Sequence, residues 1–442
     1  MLEPATAGKF LTARRLVIAS GLVGLTALAA TGWWTVRRER DYRQFLADGE
    51  IALAASQPTA AIEAFSGAIA LRPDSMLAWL RRGEVYRQQG DAASALRDLR
   101  QAGTLDPTSP RVEEQLGDVH ASQQRWQRAA ERYEAALAID ERPARLWVKL
   151  AQALSRSNQL DRAASACRQA LAQDDSLARA HYLLGVILVQ QQRGHEATEA
   201  FARAAAIDPT DADTLEALAS LHEMAGRYAD EVRVLRALAA LEPSSAPRQA
   251  RLGLALARMG RFEDAVLTLA TASERFNDQG TVLVALSRVW LEQGDARSDR
   301  IAWMKAVEAA RRATERTPSS EAQLMLGRAL FRVGDTRQAL RALTIATQRP
   351  PIADGAFAAL ADAAERAGRL ADARDALLSD IALRGDVGQG AIGAARAARI
   401  ASLCLRTGDA ARAVTWYERA LARRPDDEGL RRQLDAARRR AS

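Results

Sequence analysis

Three arginines, Arg111, Arg145 and Arg179, recur at intervals of 34 residues. A guanidinium is a planar fork of donors that grips a carboxylate through paired hydrogen bonds. Regularly spaced forks can hold an acidic chain, but they cannot by themselves break a bond. Groups suited to covalent or acid–base work are few: His120, His181, His195, His222, Cys167 and Cys404. No glycine-rich loop leads into Lys-Ser or Lys-Thr to cradle phosphate. No His-Glu-x-x-His or Cys-x-x-Cys supplies metal ligands. The two cysteines lie far apart and read as small buried apolar residues. No enzymatic activity, cofactor or metal is expected.

The elements that must carry these residues are helices. Ala, Leu and Arg dominate the chain, and all three favour helix. Self-similarity then fixes the period. Ala61, Ala95, Ala129, Ala163 and Ala197 form a column at steps of 34, broken by Glu231 and resumed by Ala265. A small-residue column (Gly49, Gly83, Gly117, Ala151, Gly185, Ala219, Gly253) precedes it by 12 residues. A third column follows it, with Pro73, Pro107, Pro209 and Pro243 interrupted by Glu141 and Asp175. Small residues are needed where two helices approach closely, and proline stops a helix. Gly90-Asp91, Gly226-Arg227, Gly260-Arg261, Gly334-Asp335 and Gly408-Asp409 mark turns between paired helices, since glycine tolerates the left-handed cap.

These columns resemble the tetratricopeptide repeat family. Within residues 76–109, Trp79, Gly83, Tyr86, Ala95, Leu99, Ala102 and Pro107 fall on the family's signature spacing. The resemblance implies an all-α fold, a right-handed solenoid of about eleven helix–turn–helix repeats. Seven repeats are expected over 42–279 and four over 280–427, with insertions near 298–304 and 381–393, the latter read as an extended loop or as the end of a helix plus a linker. Residues 428–442 read as a basic capping helix and tail, with Leu430 and Leu434 facing the last repeat, because a solenoid otherwise exposes its final apolar face.

Residues 1–15 form a basic tail. Residues 16–36 follow without a charge, enough to cross a bilayer as one helix. Trp33 and Trp34 close the segment, as indoles do at an interface. The expectation is a single-pass anchor in a bacterial inner membrane. The array is placed on the periplasmic side because a short basic N-terminus stays in the cytoplasm. The alternative is a signal peptide cut near Ala27–Ala29, which would release a soluble adaptor.

The formal net charge is +7. Residues 1–43 carry seven basic and three acidic groups, and 428–442 carry five and two, so the body between them is neutral. That argues against a nucleic-acid groove, which needs a continuous basic face.

What the resemblance implies about function is protein binding. The first helices of successive repeats line a concave groove that takes a peptide or helix. On the family's register, Arg111, Arg145 and Arg179 stack into a basic ridge. Leu80, Val148, Tyr182, Val186 and Val189 are expected beside it, with Glu84, Glu114 and Asp118 as acidic neighbours. The alternative is that these arginines pair with the acids as a solvated face. A second groove candidate holds Arg288, Leu291, Arg328, Phe331 and Arg332. There Phe331 is either an exposed anchor or is packed by the long unit carrying Trp303. The family's lysine–asparagine clamp for a terminal carboxylate is not expected, because Asn158 and Asn277 miss the groove positions. His120 and His222 share one repeat position and read as packing residues, as does His181, which stands where Trp79 and Trp147 stand. The functional expectation is a membrane-anchored scaffold, extending to assembly of an envelope complex.

Overall fold

The structure is a computed structural model that describes residues 32–140, 142, 144–276, 280–385 and 390–442. Every regular element among them is a helix. Most of the expected anchor, residues 16–31, lies outside the described residues, while 32–36 open a helix over 32–54. Among the described residues, no helix is long and apolar enough to cross a membrane.

The chain divides into two compact units, the first ending at Pro209. The first unit pairs helix 32–54 with Pro58–Leu71. Four more hairpins follow, from Met76–Gln88 with Ala92–Leu105 to Ala178–Gln190 with Gly194–Ile207. The second unit runs through six hairpins, from Ala212–Met224 with Tyr228–Leu241 to Gly390–Arg406 with Ala410–Arg423. It ends in a single helix, Glu428–Ala441.

One repeat shows why these residues fold this way. Gly90 takes φ +81°, a conformation that closes the first helix and that side chains resist. Asp91 then accepts a hydrogen bond from the Ser94 N–H at 3.1 Å, capping the next helix. The second helix ends at Leu105, two residues before Pro107. Ala61, Ala95, Ala129, Ala163, Ala197 and Ala265 are all 0% exposed. The small-residue column does not simply face this alanine column. Each glycine instead receives the large residue four places after the alanine. A Cβ on Gly83 would lie 2.9 Å from Leu99, and one on Gly185 2.8 Å from Phe201. Gly117 meets Tyr133, Gly253 meets Leu269 and Gly327 meets Leu343 in the same way. The glycine is a socket and the large side chain its plug.

Glu231, where the alanine column breaks, is buried. It accepts a hydrogen bond from Arg258 at 3.0 Å, and burial pushes its carboxyl pKa up. The long repeat takes its extra length as helix rather than loop. Gly280–Arg297 has 18 residues and Arg300–Arg316 has 17, against 13 or 14 in most others. The interruption near 381–393 is also largely helical. Leu370–Arg384 continues to a glycine cap at Gly385, and the next helix begins at Gly390.

In the last helix, Leu430, Leu434 and Ala437 are buried in one cluster with Trp416, Tyr417 and Ala420. Asp427 caps it through the Leu430 N–H at 3.0 Å. Leu434→Ala should cost about 2–5 kcal/mol locally. The measurement is amide exchange across 390–423, which should quicken while the first unit stays protected. Unaltered exchange there would show that this helix covers nothing that matters.

Candidate functional site

In the first unit the three expected arginines have different surroundings. Arg111 is held by Glu84, with Nε 2.9 Å from Oε1 and Nη2 3.3 Å from Oε2. Glu84 is itself buried and also bound by Arg81 at 2.9 Å. Arg145 is exposed. Arg179 lies over the Tyr182 ring at 5.1 Å, and Tyr182 meets Phe201 edge-on. The acids are engaged too. Lys149 reaches Glu114 at 2.6 Å and Asp118 at 2.8 Å, and the Tyr133 hydroxyl donates to Asp118 at 2.9 Å. Of the three arginines, Arg111 alone is paired with one of the expected acids, while Lys149 and Tyr133 hold the other two.

Leu80 needs correcting. It is 2% exposed and packs with Leu96, Leu99 and Val112, so it is core rather than groove lining. Its apolar side chain is buried where two hairpins meet. Val186 and Tyr182 are half-buried, and Val189 is exposed.

In the second unit the expected residues do converge. Arg288, Leu291, Arg328, Phe331 and Arg332 line one pocket of about 520 Å³ together with Met325. It lies across the first helices of three successive hairpins, Gly280–Arg297, Ser320–Val333 and Ala356–Arg366. Arg288 pairs with Glu321 at 2.8 Å, and Arg332 with Asp295 at 2.8 Å. The Trp303 indole N–H donates to Asp295 at 3.0 Å and its ring packs against Gly294. The long hairpin thereby fixes the acid that holds Arg332. Phe331 is half-buried, with the Arg366 guanidinium 3.6 Å from its ring centroid. It is therefore both pocket wall and packed residue.

Glu292, Asp295, Leu343, Asp362, Ala358 and Ala359 complete the lining and were not anticipated. A signal for three of them was present. Ala358, Ala359 and Asp362 stand one 34-residue period after Leu324, Met325 and Arg328. Glu292 is one turn after Arg288. Desolvation raises its pKa, opposed by the Arg288 charge.

Three of the four histidines take packing positions, whereas His195 is exposed with Glu199 at 3.5 Å. His120 and His222 are buried and their pKa values are lowered, first by burial. His181 is buried with Nε2 3.1 Å from the Asp175 carbonyl. Cys167 and Cys404 are buried free thiols, and burial pushes Cys167 up to about 12. Among the described residues no cluster of side chains is placed to hold a metal ion.

Comparison with known proteins agrees with this architecture. Tetratricopeptide repeat models match residues 250–321, 324–386 and 397–439. A model described as the cilia and flagella-associated protein 70 C-terminal domain matches 78–282. These matches support membership of the tetratricopeptide repeat family. No curated protein matches the chain. Solved structures similar to it include PilW, a type IV pilus biogenesis factor (19% identity, TM-score 0.42, covering 46% of this chain and 94% of that one). Pseudomonas aeruginosa pilF is similar at 20% identity and TM-score 0.38, covering 48% and 96%. YrrB, described as a repeat protein with an unusual peptide-binding site, is similar at 19% and 0.37, covering 41% and 94%. At such values the likeness is one of repeat fold and carries no functional argument.

Proposed function

We propose that this chain is a non-catalytic scaffold that holds another protein, as a peptide or helix, in the groove over residues 280–366. The observation that carries the reading is the 520 Å³ pocket across three first helices. Its lining sets Leu291, Met325, Phe331 and Leu343 beside three arginines and three acids, apolar anchors with charged groups as a partner segment needs. The face around Arg145, Arg179, Tyr182 and Val186 is a second candidate contact, with Arg179 over the Tyr182 ring.

Filling the pocket tests this. The full chain and its Ala359→Trp variant are used as baits in membrane extracts of the native host. The variant should lose the captured partner while keeping its helical signal. An identical captured set from both baits would contradict the reading.

A tether through residues 16–36, a periplasmic array and a role in an envelope complex rest on the sequence alone. An intact N-terminus in the membrane fraction supports the tether, whereas a shortened soluble chain favours the secreted adaptor. No partner of nucleic-acid type is proposed, since the body of the chain is neutral.

A further inference from the structure

The ionised groups of this pocket are not equally satisfied. Arg288 is paired with Glu321, Arg332 with Asp295, and Asp362 with Arg399 at 2.6 Å. Arg328 makes no hydrogen bond or ion pair among the described residues. Desolvation lowers its pKa, as do the Arg288 and Arg332 charges, while the Asp362 charge acts the other way. Gly355, at φ +79°, lies directly against the guanidinium, and a Cβ there would stand 2.8 Å from Nη2. Any other residue would push the fork away. Leu291, Met325 and Phe331 form an apolar wall in the same pocket.

Arg328 is exposed, so a carboxylate can reach its unpaired guanidinium, and a charge-assisted pair beside apolar side chains is stronger than one in open water. Building on the groove reading above, we propose that Arg328 receives a carboxylate of the bound peptide while an aliphatic side chain next to that carboxylate packs against Leu291, Met325 and Phe331. A monoanion fits better than a phosphate dianion. Only one cation is unpaired, and Glu292 lines the same pocket without a partner among the described residues.

The test is an array of immobilised twelve-residue peptides, probed with the full chain and with Arg328→Gln and Glu292→Gln variants. Each peptide carries a leucine with aspartate, asparagine, lysine or phosphoserine close by. The acid is either internal or the C-terminal carboxylate, which separates the two sources of the group. Leucine–aspartate or leucine–C-terminal peptides should be retained over the asparagine and lysine versions. Arg328→Gln should weaken that retention about tenfold to a hundredfold, the range for a hydrogen bond to a charged group. Glu292→Gln should strengthen it, because a like charge is removed. A merely structural effect of the two substitutions would weaken both.

Retention indifferent to the acid, or unchanged by Arg328→Gln, would overturn the inference while leaving the groove reading intact. A preference for phosphoserine would overturn the choice of a monoanion. No retention of any peptide would remove the groove reading itself.

Discussion

Phe201→Ala should destabilise the hairpin of residues 178–207 by about 3–5 kcal/mol, the range for emptying a buried phenylalanine site. Phe201 is 1% exposed, its ring fills the socket at Gly185, and Tyr182 meets it edge-on at 5.6 Å. Gly185→Ala alone should also destabilise, by about 1–3 kcal/mol, because its Cβ would overlap the ring. Together they should cost clearly less than the sum. Once the ring is gone, the alanine fills part of the space and improves helix propensity by about 1 kcal/mol. Urea unfolding of the four chains measures this. Because a repeat array opens locally, amide exchange should show the loss concentrated in 178–207. Strict additivity would mean that the glycine column serves some purpose other than receiving the large residue of the second helix.

Asp98→Ala is the second large effect. The Asp98 side chain is fully buried within helix Ala92–Leu105. It accepts from Arg82 Nε at 2.6 Å and from Nη2 at 3.1 Å. Arg82 also donates to Ser66 at 2.9 Å and lies over the Trp79 ring at 5.0 Å. Removing the carboxylate strands a mostly buried guanidinium between hairpins, at about 3–5 kcal/mol. Replacing both partners, as Arg82→Met with Asp98→Leu, should recover most of that loss, since no buried charge remains unpaired. Thermal unfolding of the single and double variants decides the matter. A double variant as unstable as Asp98→Ala would show that the pair contributes more than the desolvation it requires.

The helical pattern was legible because its causes are local. Alanine, glycine and proline columns at one period report close helix contacts and helix ends, and these do not depend on distant residues. The insertion near 298–304 was legible as added length but not as helix. Only tertiary packing shows Trp303 against Gly294 with its indole on Asp295. The partners of the ridge arginines were not legible for a similar reason. A register places Arg111 on a face, but whether its charge is free depends on Glu84 in the preceding hairpin. Leu80 was misplaced because register cannot separate a groove position from a buried one when hairpins pack closely. The second candidate fared better: Arg288, Leu291, Arg328, Phe331 and Arg332 do share one pocket. What sequence could not supply was the pairing of each arginine, which singles out Arg328.

The central claim is that a partner occupies the groove over residues 280–366. Site-specific photo-crosslinking in the native host addresses it most directly, with the reactive residue at Ala359 in the pocket or at Leu267 on a second helix, 67% exposed. The account predicts a discrete crosslinked partner from position 359 and none of that mass from 267. The same adduct from 267 alone, or equally from both positions, would contradict it.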